Sequence, residues 1–163
     1  MPQSPLSPID AKALKLERLR SLSHLLDNAI GIPGTQMRVG LDPLLGLLPF
    51  AGDYLGTIFS VYIVFEAARM GLPKASLTRM VANLLIDTLV GTVPLLGDLF
   101  DVGWKANSKN IELLESHLSS PKTTQKADLW FVGLLLGGFL LIAIAITTTT
   151  VLIIGLLIKA IRN

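Results

Sequence analysis

The sequence predicts an all-α protein. A tandem helical-hairpin repeat forms a pseudo-two-fold four-helix unit, preceded by an amphipathic helix and followed by a C-terminal transmembrane helix. Three observations predict this. Leu129 to Ile158 is a run of 30 residues without a charge. Near the start of the chain, Leu16, Leu19, Leu22, Leu26 and Ile30 recur at spacings of three and four, the period of an amphipathic helix. Between these segments the pattern D-x3-G-x2-P-x2-G-D occurs twice, from Asp42 to Asp53 and from Asp87 to Asp98, at a constant offset of 45 residues. A period in this range marks a repeated supersecondary unit.

Composition narrows the class further. A chain of 163 residues accommodates one domain with a tail. Hydrophobic residues make up 51% and charged residues 16%, where about a quarter charged is usual. With a mean hydropathy of +0.61, the chain is neither a disordered linker nor a plain soluble globule. The formal net charge is +2 and no basic stripe with interleaved aromatics occurs, so nucleic acid is not an expected partner. Cysteine is absent, which excludes disulfides, thiolate metal sites and cysteine nucleophiles.

Residues 1–7 read as a disordered N-terminus. Met1 to Ile9 contains three prolines and no apolar stretch, so no signal segment is expected there. The first helix runs from about Pro8 to Ala29, with Ser7 as its cap, Pro8 in its first turn and Asp10 near the positive end of its dipole. Lys12, Lys15, Arg18 and Arg20 lie mostly off the leucine stripe. The helix therefore packs on its own domain or lies on an anionic membrane surface. Gly31-Ile32-Pro33-Gly34 ends it.

The helical domain covers residues 8–118, with repeat units at about 35–70 and 74–118. In each copy an apolar helix runs into Pro49 or Pro94, which stops it. Gly52 or Gly97 supplies the backbone freedom of a sharp turn, and Asp53 or Asp98 caps the next helix. The first hairpin pairs Thr35 to Leu48 with Tyr54 to Met70. Gly71-Leu72-Pro73 follows, and the second hairpin pairs Lys74 to Thr92 with Leu99 to Leu118. Arg38 and Asn83 stand four residues before Asp42 and Asp87, on the same helix face. Arg38 is thus expected to pair with Asp42, and Asn83 to hydrogen-bond Asp87; without such help a buried carboxyl keeps its proton. These helices are short or interrupted by charges, so the domain reads as half-sunk in the membrane face or packed on it. Insertion by re-entrant hairpins and a soluble domain on a stalk are the alternatives.

On the last helix of the domain, Phe100, Trp104, Asn107, Ile111, Leu114 and Leu118 form one stripe, while Asp101, Lys105, Lys109, Glu112 and Glu115 line another face. Asp101 and Lys105 are in a favourable i,i+4 order. Asn107 falls among apolar residues and therefore requires a buried partner or a polar contact. Residues 119–128 are polar and read as a flexible linker. The span at 129–158 rises about 45 Å as one helix, more than a hydrocarbon core of roughly 30 Å. Gly137-Gly138 and the run Thr147 to Thr150 leave a re-entrant hairpin as the alternative. Trp130 and Phe131 stand where an interfacial anchor belongs, and Gly133 to Gly137 is a small-xxx-small pattern. Residues 159–163 form a basic tail. Lys105, Lys109, Lys122 and Lys126 precede the span, which places the domain on the cytoplasmic side by the positive-inside rule.

A series of polar and turn residues carries a resemblance. Ile32-Pro-Gly-Thr35, Arg38-x-Gly-Leu-Asp42, Gly46-Leu-Leu-Pro49-x-x-Gly-Asp53, Arg79-Met-x-x-Asn83-x-x-x-Asp87, Pro94-x-x-Gly-Asp98-x-x-Asp101 and Lys105-Ala-Asn107-x-x-Asn110 occur in this order. The series resembles domain-of-unknown-function family 4112 of bacteria, archaea and fungi, over about residues 16–118. The resemblance implies one coherent domain and no established activity, cofactor or catalytic residue.

The chemistry in the sequence is sparse. Asp42 with Asp87, or Asp53 with Asp98, would meet across the pseudo-two-fold axis, as the paired carboxyls of an aspartyl hydrolase do. Helix capping explains the Gly-Asp pairs without catalysis. Metal-ligand spacing is absent, His24 and His117 stand alone, and no G-x-S-x-G, P-loop or dinucleotide pattern occurs. No enzyme activity or cofactor is expected. The reading is a membrane-anchored, non-catalytic module, a scaffold or interaction protein associated with lipid and with a membrane protein or a second copy of itself. Its exposed faces, including Lys105 to Asn110, carry the contacts unless those polar residues are internal hydrogen-bonders. The alternative is a small oligomeric ion- or proton-conducting protein that uses Asp42 and Asp87.

Overall fold

A computed structural model describes residues 7–31, 34, 38–40, 52–91, 104–119 and 127–162. Among these residues, five helices carry the fold: α1 (Pro8–Asn28), α2 (Gly52–Arg69), α3 (Lys74–Gly91), α4 (Ala106–Ser119) and α5 (Leu129–Arg162). A two-residue antiparallel pair, β1 (Ile30–Gly31) and β2 (Arg38–Val39), folds the chain back after α1, with Ile30 opposite Val39 and Gly31 opposite Arg38.

Local signals explain most boundaries. The Ser7 hydroxyl accepts a hydrogen bond from the Asp10 amide at 3.2 Å, and Pro8 follows as the first helical residue. At the end of α2 the Gly71 amide donates to the Ala68 carbonyl at 3.0 Å and the Leu72 amide to the Ala67 carbonyl at 3.2 Å. This double closure needs a left-handed residue, and Gly71 supplies it with φ 99°. Leu72, just beyond it, is fully buried. The turn is therefore nailed to the core, and α2 and α3 form a tight hairpin.

α1, α2, α3 and α4 enclose one core, in which α2 and α4 each touch all three of the other helices. Leu19 and Leu26 of α1 meet Ile63, Val64 and Ala67 of α2, Leu77, Met80 and Leu84 of α3, and Ile111 and Leu114 of α4. α1 is thus a full member of the bundle. α5 packs on α3 and α2 through Val132, Leu136 and Phe139. Beyond that point its large apolar side chains are exposed to its end, except for the half-buried Ile146.

Several expectations meet the coordinates differently. Arg38 lies in β2, not on a helix, so no i,i+4 helical pairing with Asp42 starts from it. α2 begins at Gly52, so Asp53 falls inside the first turn and not before it. The last domain helix begins at Ala106, later than Leu99, and Trp104 and Lys105 precede it. Asp101, the expected i,i+4 partner of Lys105, lies outside the described residues. The C-terminal apolar segment is one unbroken helix of 34 residues, not a hairpin. Asp42, Pro49, Pro94, Gly97, Asp98, most of the segment expected to be helical at 35–48, most of both repeat turns and most of the linker lie outside the described residues.

Candidate functional site

The polar residues of the domain meet where the C-terminal end of α1 crosses the start of α4. A helix start leaves backbone amides without partners, and α4 has lysine at its cap: the Lys105 carbonyl accepts the Lys109 amide at 3.0 Å. A lysine side chain cannot accept a hydrogen bond. Asp27 of α1 takes over that role, its Oδ2 accepting the Ser108 amide at 2.6 Å. Its other oxygen, Oδ1, accepts from Asn107 Nδ2 at 2.9 Å. A carboxylate at the end of α1 faces the negative pole of its own dipole; at the start of α4 it faces a positive one. Helix α4 is thus capped in trans by α1.

Asn28 completes the clasp. Its Nδ2 donates to Ser108 Oγ at 3.2 Å, and its Oδ1 accepts from Lys105 Nζ. The same ammonium donates to the Arg38 carbonyl at 3.1 Å, so β2 is tied to α4 as well. The Arg38 guanidinium lies 3.2 Å from His24 Nε2. Burial pushes the Asp27 carboxyl above its ordinary value. Hydrogen bonds from Asn107 and Ser108 and the Lys105 charge offset part of that rise.

Gly40 fits this corner for a steric reason. A methyl group there would lie 1.3 Å from the Leu26 carbonyl oxygen, a backbone atom that no rotamer change moves. Only glycine lets the chain after β2 pass so close to α1.

A second polar junction joins α3 to α4. Asn83 Nδ2 donates to Asn110 Oδ1 at 2.8 Å, and Asn110 Nδ2 donates to the Met80 carbonyl at 3.2 Å. Trp104 Nε1 reaches the Asn83 carbonyl at 3.4 Å, and Lys109 Nζ sits 4.6 Å above the Trp104 ring. Asn83 therefore gives its amide to Asn110, a partner on another helix, and Asp87 is half-buried one turn further along α3. Asn107 and Asn110 are 1% and 0% exposed; they are internal hydrogen-bonders and not a contact surface. A shallow open groove beside them is lined by Arg79, Asn83, Lys109 and Glu112.

A third junction joins α1 to α2. Glu66 is 3% exposed, and its carboxylate meets Lys15 Nζ at 2.5 Å and Arg69 Nη1 at 3.1 Å. A buried carboxylate requires such pairing. Among the described residues no group of three or more His, Cys, Asp or Glu side chains is placed to hold a metal ion.

The structure joins Lys105 with Arg38, and Asn83 with Asn110, and buries Asn107 on Asp27. It adds Asp27, Asn28, Gly40, Lys15 and Glu66, which the sequence reading did not single out. Two of these carry a signal. Asp27 lies four residues after Ser23 and eight after Leu19, on the buried stripe of α1, and Glu66 is the only charge between Asp53 and Arg69.

A family model described as Domain of unknown function (DUF4112) matches residues 15–118, more than half of the chain. That interval begins within α1 and ends within α4, and α5 lies outside it. No curated protein and no solved structure matches.

Proposed function

The chain belongs to the DUF4112 family, and from that premise we propose that it is a membrane-anchored, non-catalytic helical scaffold. α5 crosses the bilayer, and the domain stands at the membrane surface on the cytoplasmic side. The domain offers its outer faces to a membrane protein or a second copy. One observation carries this reading: Asp27, Glu66 and Asn110 each bond to a neighbouring helix. Polar groups spent on fixing helices to one another serve rigidity, and a scaffold needs a rigid domain more than a reactive one. The only helix among the described residues that is long and apolar enough to cross a membrane is α5.

The outer faces that remain for a partner are the charged sides of α1 and α4, with Arg18 and Glu17 on one and Glu112 on the other exposed. Photo-crosslinking from these positions in native membranes is expected to capture one reproducible partner. Purified protein in vesicles is expected to carry no ion or proton flux. Flux in vesicles that Asp87→Asn abolishes while the fold survives would replace this reading by the conducting one. Crosslinking that yields no reproducible product would also count against the scaffold.

A further inference from the structure

Among the described residues, one end of the domain exposes the apolar side chains of Ile58, Phe59 and Ile86, with Asp87 half-buried beside them, and the packing of α5 places that end at the bilayer. Lys74 Nζ, at the start of α3, bonds Asp128 Oδ2 at 3.1 Å and lies 5.2 Å from the Phe131 ring. The starts of α3 and α5 are therefore level. Val132, Leu136 and Phe139 are buried and Ala143 packs beside them, so the two helices run alongside in the same direction for four turns. Twelve residues on from Lys74 is Ile86; twelve on from residues 128–131 is 140–143. At about 1.5 Å per residue both lie roughly 18 Å from the shared start.

The far end of α5 sets where the bilayer lies. Lys159 and Arg162 close the apolar run. About 20 residues cross a hydrocarbon core, and 20 residues counted back from Ile158 reach Phe139, the last fully buried side chain of α5. The segment that needs lipid starts where the segment covered by the domain stops. Ile86 is then level with the first turn inside the lipid.

Helix α2 brings further apolar side chains to the same end. It is antiparallel to α3 across the Gly71 turn, so its start lies near the end of α3. Ile58 and Phe59 there are 57% and 39% exposed, and Ile86 is 37% exposed. Among the described residues, Glu66, Arg69, Lys74 and Asp128 form ion pairs at the opposite end. Along α3 the exposed face changes from Thr78 and Arg79 to Ile86. Arg18 and Arg20 on the outside of α1 and Glu112 on α4 forbid sinking the whole domain into hydrocarbon. Arg38 and Lys105 are tied together beside the α1–α4 junction, where cations suit anionic headgroups.

We propose that the end formed by the start of α2 and the finish of α3 is a lipid-docking surface, with Ile58, Phe59 and Ile86 seated in the leaflet that α5 enters. The occupant is the acyl and headgroup boundary of the bilayer that α5 crosses. The contact is continuous with the membrane helix and fixes the tilt of the domain. This inference rests on α5 crossing the membrane.

Because the chain lacks cysteine, single nitroxide labels test it on the full protein. Ile58→Cys, Ile86→Cys, Thr78→Cys and Leu152→Cys, all at exposed positions, are labelled and reconstituted in phosphatidylcholine–phosphatidylglycerol vesicles. Relaxation by oxygen is compared with relaxation by an aqueous nickel chelate. The oxygen-to-nickel ratio is expected to be several-fold higher at 58 and 86 than at 78, and highest at 152. Ratios at 58 and 86 as low as at 78, with 152 deep in lipid, would overturn the docking surface and leave the anchor standing. An aqueous reading at 152 would remove the anchor itself. Labels at 58 and 86 shielded from both reagents and broadened by spin–spin coupling would put a second copy there in place of lipid, which also overturns the proposal.

Discussion

Replacing Asp27 by alanine removes two acceptors from the helix crossing that organises the domain. The Ser108 amide at 2.6 Å and the Asn107 amide at 2.9 Å both lose their partner. Loss of an N-terminal cap costs about 1 kcal/mol. Leaving a buried side-chain amide unbonded costs about 1–3 kcal/mol. Relief of the desolvation that raises the Asp27 carboxyl returns part of this, so the expected net loss is about 2 kcal/mol. Asn107→Ala leaves the cap intact and removes only its own bond. The double variant then isolates the pair, and groups in one network couple by about 0.5–3 kcal/mol. Urea unfolding of the full chain in bicelles, followed by far-UV circular dichroism, measures all three variants. Purely additive losses would refute the Asp27–Asn107 bond across the crossing of α1 and α4, and a loss for Asp27→Ala no larger than that for Asn107→Ala would refute the capping of α4 by α1.

Other perturbations read different parts of the same structure. Gly40→Ala drives a methyl group into the Leu26 carbonyl, and overpacking of this kind costs about 1–3 kcal/mol; a thermal unfolding midpoint equal to wild type would contradict the close approach. Phe139→Ala empties a site 2% exposed and is expected to lower domain stability by about 3 kcal/mol, whereas Leu152→Ala, exposed on the same helix, is expected to leave it unchanged. Asp27 also sets a pH dependence. Its folded carboxyl holds a proton that the unfolded chain, with the ordinary value of 3.8, releases first. Stability therefore falls as pH rises from about 3.8 through the raised value and levels off above it. Asp27→Asn is expected to flatten that window relative to wild type, and an unchanged difference between the two across it would contradict the buried carboxyl.

The parts of the fold legible in sequence are those set by local chemistry. Ser7-Pro8, the leucine spacing of α1, Gly71-Leu72-Pro73 and the 30-residue apolar run each define an element by short-range rules. The demand of Asn107 for a buried partner was equally legible, because an amide on an apolar stripe must be bonded. What the sequence concealed is which helix supplies the partner. Asp27 and Asn107 are 80 residues apart, and nothing local relates them. Asn83 reads locally as a partner for Asp87, and nothing local points to Asn110, whose Oδ1 accepts from its amide. The start of α4 is not legible locally, because Phe100 and Trp104 continue its stripe, while the stabilising cap comes from another helix and leaves no mark at residues 104–106. Gly40 reads as one glycine of a motif, and only the path of α1 past it explains why a side chain cannot stand there.

The most direct measurement of the account is the fragment of α5 that lipid protects. The full protein in vesicles, with the domain unfolded by urea and digested from outside by a broad-specificity protease, is expected to retain a fragment covering residues 140–158, read by mass spectrometry. Complete digestion of α5, or a protected fragment drawn from α2 and α3 in its place, would contradict it.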